Sequence, residues 1–348
     1  MTKVVIDPRC KFNYSSYYIW GVFEVFGSRN VIFDISPFLI FQYDFRLYEQ
    51  GVFMILKHEN IRKNIYIDFN DSDFVIEKVY DWCDVYAKIN INKHVNLEEK
   101  TKLLPIGPSF SIHPGYLSEI SKKNILKLIM GYKYARIPFK KYISDHIYPY
   151  VKRLKYPSYC DSSPVDNYIF SMSTLWYDQM TDSTTNRYRA RFIKESRKFC
   201  RFEGGFFFIS NKAIVREYPP YERYRDDYGD CLFFKRISSL QYVEKTKKST
   251  IVFNTPSVCG CHGWKLAEYL CMGKAIISTP LNNHMPGQFE PGRHYYVVEE
   301  ESEIERAIRL LLNNRDYRER LEKSAKKYFE TYLSPQAVIM HILGNFLK

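Results

Sequence analysis

Apolar and polar positions alternate along the first third of the chain in short runs separated by polar turns. Strand-like and helix-like runs lie at residues 3–7, 17–26, 31–35, 52–57, 65–69 and 85–89. Such alternation predicts βαβ units and a parallel sheet. Residues 103–112 contain proline and glycine, which favours a loop or an edge strand over a central strand.

A second alternating series begins after residues 156–164, where nine residues include two prolines and three serines. This composition is typical of a linker, so we place one domain at residues 1–160 and a second at 161–330. The predicted strands of the second domain are 168–171, 205–209, 251–254, 275–278 and 295–298, and its clearest predicted helices are 187–197 and 264–272.

The end of the chain carries two local signals for helices. Ser302 and Glu305 have the spacing of a capping box, which predicts a helix whose apolar residues share one face. The tail 317–348 is helical in pattern, and Ser334-Pro335 predicts a break there because proline begins a helix more readily than it continues one.

Length and composition describe a globular protein. With 348 residues the chain exceeds the usual size of one core, which favours two domains. It contains neither an apolar run long enough to span a membrane nor a signal peptide, so we expect a soluble, cytoplasmic protein. Cys259, Cys261 and His262 lack the pair spacing of a zinc site, and the expectation is that the protein holds no metal.

The net charge of +12 predicts an acidic partner, and the charge is concentrated. Residues 122–155 contain ten Lys or Arg and one acid, Asp145, interleaved with aromatic and aliphatic residues. Three interpretations fit this segment: a solvated basic surface, a surface that docks on anionic lipid or a lipid-phosphate-linked acceptor, and a nucleic-acid-binding surface.

The strongest chemical signal lies at residues 249–280, which read as strand, glycine-containing loop, helix and strand. Gly260 and Gly263 allow the backbone to approach a ligand where a helix begins, and unpaired helix-start amides favour a diphosphate. Lys265 and Glu268 share one face of the helix. The lysine could neutralise phosphate and the carboxylate could accept both ribose hydroxyls, although an ordinary surface ion pair has the same spacing.

The segment HGWKLAEYLCMGKAIIST (residues 262–279) resembles the donor-binding helix of GT-B glycosyltransferases of the group 1 type. The resemblance implies an α/β fold of two Rossmann-like domains facing a cleft, with the tail 331–348 returning to the N-terminal domain. It also implies that Glu268 binds the donor ribose, and that His262, Gly263 and Lys265 line the diphosphate, with Gly260 in the preceding loop. Many retaining members carry a second glutamate at the position of Gly260, which leaves the stereochemical outcome open.

Members of this fold often hold the diphosphate with basic residues of the first helix of the C-terminal domain. The segment NRYRARFIKES (residues 186–196) offers four basic residues, and Arg187, Arg191 and Lys194 lie on adjacent turns of one face. Arg187 and Arg191 are therefore candidate donor-binding residues. A solvated basic helix is the alternative.

An inverting transferase also needs a general base, which this fold supplies from its N-terminal domain. Candidates at predicted strand ends are Asp7, Asp34, His58, Asp68 and His113. Asp68 is favoured because it ends a strand and precedes polar turn residues.

These features predict a glycosyltransferase, hexosyl or related, that uses a UDP- or GDP-sugar without an essential cofactor. The predicted acceptor is a glycan or a lipid-linked molecule of surface polysaccharide or glycoconjugate synthesis, reached from the cytoplasmic face of a membrane through residues 122–155. Nucleic acid is not expected. The alternatives are a sugar-nucleotide epimerase or phosphorylase on the same fold, or a non-enzymatic protein that binds nucleic acid or membrane surfaces.

Overall fold

The computed structural model describes residues 2–41, 46–115, 122–176, 183–207 and 227–344. The chain divides into two compact units. Unit 1 comprises Met1–Ser158, Asn283–Gln288 and Glu330–Lys348, and unit 2 comprises Tyr159–Asn282 and Phe289–Phe329. The first passage between units falls inside the predicted linker, whereas the sequence did not indicate the short return at residues 283–288.

Unit 1 is built on a six-stranded sheet of order β2-β1-β3-β4-β5-β6. The strands are β1 (Lys3–Ile6), β2 (Val31–Phe33), β3 (Gly51–His58), β4 (Ile61–Asp68), β5 (Val85–Lys88) and β6 (Leu103–Pro105). The prediction of a parallel sheet is wrong at β3, which runs antiparallel to both neighbours. Only two residues separate β3 from β4, and a parallel crossover needs about a dozen, so a hairpin is the geometry that the chain can form.

Helices pack against this sheet of unit 1 and bury an aromatic core. They are α1 (Phe12–Phe26), α2 (Arg46–Gln50), α3 (Glu77–Trp82), α4 (Lys122–Met130), α5 (Tyr132–Ala135) and α6 (Phe139–Lys152). Phe53, Tyr66 and Tyr86 are fully buried between sheet and helices. The segment predicted as loop or edge strand contributes β6 at the sheet edge, followed by irregular chain.

Unit 2 is an α/β unit whose strand pairs are all parallel. Strands β7 (Tyr168–Thr174) and β8 (Arg201–Phe207) form one pair, and β9 (Ile251–Asn254), β10 (Ala275–Ser278) and β11 (Tyr296–Val297) form a three-stranded sheet. The Thr250 amide donates to the Tyr168 carbonyl over 2.7 Å, which joins the two groups of strands. The helices are α7 (Ser183–Phe199), α8 (Ser239–Lys248), α9 (Trp264–Met272), α10 (Ile304–Asn313) and α11 (Arg315–Tyr328).

The predicted bounds of β9, α9 and β10 agree with the structure, and the α/β class is confirmed. The predicted capping box is wrong: Glu300 and Glu303, and not Ser302 and Glu305, form it. A 3-10 turn precedes α10, which moves the cap upstream of the predicted position. The predicted strand 205–209 begins earlier, at Arg201, and its last two residues lie outside the described part of the chain.

A last helix, α12 (Pro335–Leu343), packs against α1 within unit 1. Ser334 caps it by accepting from the Ala337 amide, and Pro335 occupies its first turn, so the predicted break at this position is confirmed. Gly21 of α1 allows the close approach. A Cβ atom at Gly21 would lie 2.0 Å from the Pro335 carbonyl oxygen, which is backbone and therefore cannot rotate away.

Gly21→Ala is expected to destabilise unit 1 by about 2 kcal/mol, because the methyl group must push α12 away from α1. Amide hydrogen exchange of α1 and α12 measures the change. Gly229→Ala is the control, since a Cβ atom there meets nothing within 4 Å and the backbone φ is not positive. Equal protection in both variants would contradict the packing described.

No helix among the residues described here is both long enough and apolar enough to span a bilayer.

Candidate functional site

The candidate site lies in unit 2, where the carboxyl ends of β7 and β9 meet the start of α9. Ligands of open α/β sheets bind at this edge because the strand ends leave a crevice and the helix start presents amide donors. A loop, residues 255–263, connects β9 to α9. It is closed by two hydrogen bonds of 3.0 Å, from the Ser257 amide to the Cys261 carbonyl and from the Gly260 amide to the Ser257 carbonyl.

Gly260 has a left-handed backbone with φ of 68° and follows Cys259, which is also left-handed with φ of 54°. A side chain in this conformation costs about 1 kcal/mol or more. A glutamate at Gly260 would therefore strain the loop, which gives a conformational reason for glycine here. Gly263 differs: its φ is −74°, and a Cβ atom would make an ordinary 3.7 Å contact with Ser257.

Two cationic side chains converge at the strand ends. Arg189 of α7 donates from Nε to Thr255 Oγ1 over 2.8 Å and from Nη1 to the Thr174 carbonyl over 3.4 Å. Lys265 of α9 donates from Nζ to the Met172 carbonyl. The Arg189 guanidinium thus contacts the carboxyl ends of both β7 and β9, and Lys265 contacts β7 beside it. Within the described ranges, neither cation lies within ion-pair distance of a carboxylate.

The surroundings of Arg189 and Lys265 lower the pKa of both side chains. Burial, followed by the charge of Arg189, lowers the pKa of Lys265 to about 7. Burial also lowers the pKa of Arg189, to about 10, so that the guanidinium stays charged at neutral pH. Two positive charges that are not balanced by carboxylates among the described residues favour the binding of an anion.

Glu268 occupies the next turn of α9 and is 8% exposed. The sequence placed it on a polar face opposite the apolar residues, but residues 266–272 are all buried. Burial, Tyr269 and the nearby carboxylate of Glu268 raise the pKa of Tyr242 far above its ordinary value. The carboxylate therefore lies in a largely enclosed environment lined by tyrosines of α8 and α9. His262, at 6% exposure, is also buried at the end of the loop.

Arg187 and Arg191 lie away from the cation pair. Arg187 Nε pairs with Glu301 over 3.1 Å at the surface, and Arg191 Nη2 pairs with the buried Glu195 over 2.9 Å. Sequence reasoning grouped these arginines by their common face and passed over Arg189. The signal for Arg189 was its spacing from Phe192 and Ile193, three and four residues on, which are buried.

Asp68 is placed in unit 1, at the carboxyl end of β4, and is 1% exposed. Its carboxylate accepts from Lys88 Nζ over 2.9 Å, from the Tyr86 hydroxyl over 2.7 Å and from the Asn70 amide over 2.8 Å. Burial raises its pKa, against the lowering effects of Lys88 and the hydrogen bonds. Its role as a general base stays a prediction.

The other candidate bases are spread over unit 1. Asp7 is fully buried and bound to Arg9, whose Nη2 lies 2.6 Å away. Asp34 pairs with Lys127 over 3.2 Å, and His58 contacts the Thr2 hydroxyl over 2.6 Å. Burial, followed by Lys155, lowers the pKa of the half-buried His113, which keeps its imidazole neutral at pH 7.

Part of the chain is similar to a known protein family. A glycosyl transferase-like family matches residues 202–344, a span that includes the loop and α9. No curated protein sequence matches the chain. A solved glycosyltransferase from Rickettsia africae is 10% identical with a TM-score of 0.44, and the alignment covers 80% of this chain and 71% of that one.

Two further solved structures are similar at the same low level. A sucrose-phosphate synthase from Thermosynechococcus elongatus is 11% identical over 84% of this chain and 85% of that one, with a TM-score of 0.39. The C-terminal domain of a glycosyl transferase group 1 family protein from Francisella tularensis is 14% identical over 49% of this chain and 87% of that domain, with a TM-score of 0.33. The family match covers residues 202–344, which are 143 of the 348 residues, so that this C-terminal part of the chain is similar to glycosyl transferase-like proteins.

Proposed function

We propose that the protein transfers a sugar from a nucleotide-sugar donor, a UDP- or GDP-sugar, to a glycan or lipid-linked acceptor in surface polysaccharide or glycoconjugate synthesis. The observation that carries the proposal is the convergence of Arg189 and Lys265 at the strand ends beside the start of α9. The described protein contacts of Arg189 and Lys265 are with neutral oxygens. A diphosphate would supply negatively charged oxygens to the same donors.

Transfer breaks the bond between the sugar and the diphosphate, so negative charge develops on the leaving phosphate. Arg189, Lys265 and the first amides of α9 would stabilise that charge, which requires no cofactor. Glu268 would bind the ribose, since a carboxylate can accept from two hydroxyl groups. His262 and Gly263 would line the diphosphate from the loop that precedes α9.

A transferase that inverts the configuration of the sugar needs a general base on the acceptor side of the site, and whether this protein inverts or retains stays open. Asp68 is the proposed base, and its pairing with Lys88 requires that the acceptor hydroxyl displace one of the present donors before a proton can move. A sugar-nucleotide epimerase or phosphorylase would use the same donor site. A labelled nucleotide sugar separates an epimerase from a transferase, because an epimerase returns the nucleotide sugar whereas a transferase releases the nucleoside diphosphate.

Glu268→Ala is the direct test of the donor site. The wild-type protein is expected to melt at a higher temperature with one of UDP, GDP or their sugar derivatives, because a ligand that binds only the folded state stabilises it. The variant is expected to lose most of this shift. CMP and ADP serve as nucleotide controls, and the absence of a shift with UDP, GDP and their sugar derivatives would contradict the proposed function.

The surface of α4–α6 supports a proposal about location. Large apolar side chains are exposed on these helices: Leu126, Ile129, Met130, Phe139, Ile147, Tyr148 and Val151. Lys133, Arg136, Lys140 and Lys152 are exposed among them, and Asp145 is paired with Lys141 over 3.0 Å. Exposed apolar side chains interspersed with exposed basic side chains fit an anionic bilayer surface, which we propose brings the enzyme to a lipid-linked acceptor on the cytoplasmic face.

Binding to vesicles tests this surface. We expect co-sedimentation with vesicles that contain anionic lipid, weak binding to neutral vesicles, and at least a tenfold loss for the double variant Ile147→Ser with Val151→Ser, since each loses buried apolar area in the bilayer. Phe234→Ser is the matched control, because Phe234 is 77% exposed but lies in unit 2. Equal binding by both variants, or tighter binding to RNA than to vesicles, would contradict the proposal.

A further inference from the structure

We propose that the donor site binds its nucleotide sugar together with one proton, which Lys265 carries. This inference rests on the proposed function, since it concerns the same cation pair. It adds that donor affinity depends on pH through one identified side chain.

The described neighbours of Lys265 offer little negative charge and few hydrogen-bond acceptors to its ammonium group. An ammonium has three N–H donors, and within the described ranges the Lys265 contact is a single one, to the Met172 carbonyl. Among the described residues, the charged groups that act on it are the Arg189 guanidinium from α7 and Glu268 from its own helix. Tyr269 and Cys261 lie next to Arg189, and Tyr242 of α8 lies against Glu268. Of these five groups, only Glu268 favours the protonated, charged form of Lys265.

Two positive charges in a partly buried site disfavour each other, and the guanidinium holds its proton more strongly. The lysine is therefore the group that gives up a proton. With its pKa lowered to about 7, close to half of the Lys265 side chains are neutral at pH 7 in the ligand-free protein, and most are neutral at pH 8.5.

A bound diphosphate reverses this balance, because its negative charges lie beside the lysine and favour the ammonium. The pKa of Lys265 is then higher in the complex than in the free protein. Between these two pKa values, binding takes up a proton, and linkage requires that affinity fall by up to about tenfold per pH unit as the pH rises. Below the lower pKa the lysine is already charged, and affinity is independent of pH.

Lys274 of unit 2, which is fully buried, provides an internal comparison. Burial also lowers the pKa of Lys274 to about 7, but Lys274 Nζ donates to Ser162 Oγ and to the carbonyls of Lys247 and Ser249, with Glu322 nearby. It lies before β10 begins, at the strand end opposite to the candidate site. A ligand at α9 should leave its protonation unchanged.

The experiment is isothermal titration calorimetry with UDP-glucose and GDP-mannose at pH 6 to 8.5, at each pH in two buffers of different ionisation heat. Each phosphorus of these ligands carries one ester and one anhydride bond and has no second ionisable proton, so the ligand itself takes up no proton on its phosphates. We expect constant affinity near pH 6, a tenfold to thirtyfold loss by pH 8.5, and uptake approaching one proton at pH 8.5.

Three variants identify the group. Lys265→Arg should bind with little dependence on pH, because its guanidinium stays charged, and Lys265→Met should bind weakly at all pH values without proton uptake. Lys274→Met should keep the wild-type dependence, and Lys198→Met is a second control on an exposed side chain. Proton uptake that persists in Lys265→Met, or tight wild-type binding without uptake at pH 8.5, overturns this inference alone. Failure of every nucleotide sugar to bind at pH 6 overturns the proposed function as well.

Discussion

Arg189→Met is expected to weaken the binding of the nucleotide sugar by about a hundredfold at pH 7. The guanidinium is held at the strand ends by Thr255 and Thr174, which fixes its direction before a ligand arrives. Hydrogen bonds to a charged group contribute about 1.5 kcal/mol or more each, and two of them correspond to about two decades in the dissociation constant. Calorimetry with the nucleotide sugar that shifts the melting temperature measures the loss.

The variant Arg187→Met tests the alternative assignment, in which Arg187 and not Arg189 binds the diphosphate. The sequence favoured Arg187 and Arg191 as donor-binding residues, whereas the structure pairs them with Glu301 and Glu195. If Arg189 holds the diphosphate, Arg187→Met should change the affinity by less than about threefold, which is the range of a lost surface ion pair. A hundredfold loss in Arg187→Met with normal binding by Arg189→Met would restore the sequence-based assignment.

Asp68→Ala is expected to lower the free energy of unfolding of unit 1 by about 3–5 kcal/mol. Lys88 is 0% exposed and its Nζ lies 2.9 Å from Asp68, so removing the carboxylate leaves a buried charge without its counterion. Amide hydrogen exchange of β4 and β5 measures the loss for this unit separately. The double variant Asp68→Leu with Lys88→Met should recover most of it, because an apolar pair of similar volume carries no buried charge.

The same variants separate a structural role from a catalytic one. If Asp68 serves as the general base, the double variant should be stable but unable to transfer the sugar, while still binding the donor. If its role is to hold Lys88, the double variant should be both stable and active. A stability change of less than about 1 kcal/mol in Asp68→Ala would contradict the buried ion pair.

The sequence was most informative where local patterns and packing agree. Strand β9, helix α9 and strand β10 could be predicted with their bounds, because apolar runs, a glycine stop at Gly273 and a glycine-containing loop lie within thirty residues. Gly273 does have the left-handed backbone of a helix end, with φ of 67°. The resemblance to GT-B glycosyltransferases depended on this segment, and the family match includes it.

The features that could not be predicted depend on contacts between distant segments. The direction of β3 follows from its hairpin with β4 and from pairing with β1, and an apolar run does not encode direction. The inward orientation of Arg189 requires that Phe192 and Ile193 face the core of unit 2. The burial of Glu268 requires the tyrosine of α8, twenty-six residues earlier, to pack against it.

The packing of α12 on α1 has a consequence for how the protein is made. Translation produces residues 1–158 of unit 1 before unit 2, but the buried residues Val338, Ile339 and Ile342 of α12 follow unit 2 in the chain. Domains usually fold in the order of their synthesis. Here unit 1 begins before unit 2 but is completed after it, and until α12 has been synthesised, the face of α1 around Gly21 lacks its packing partner.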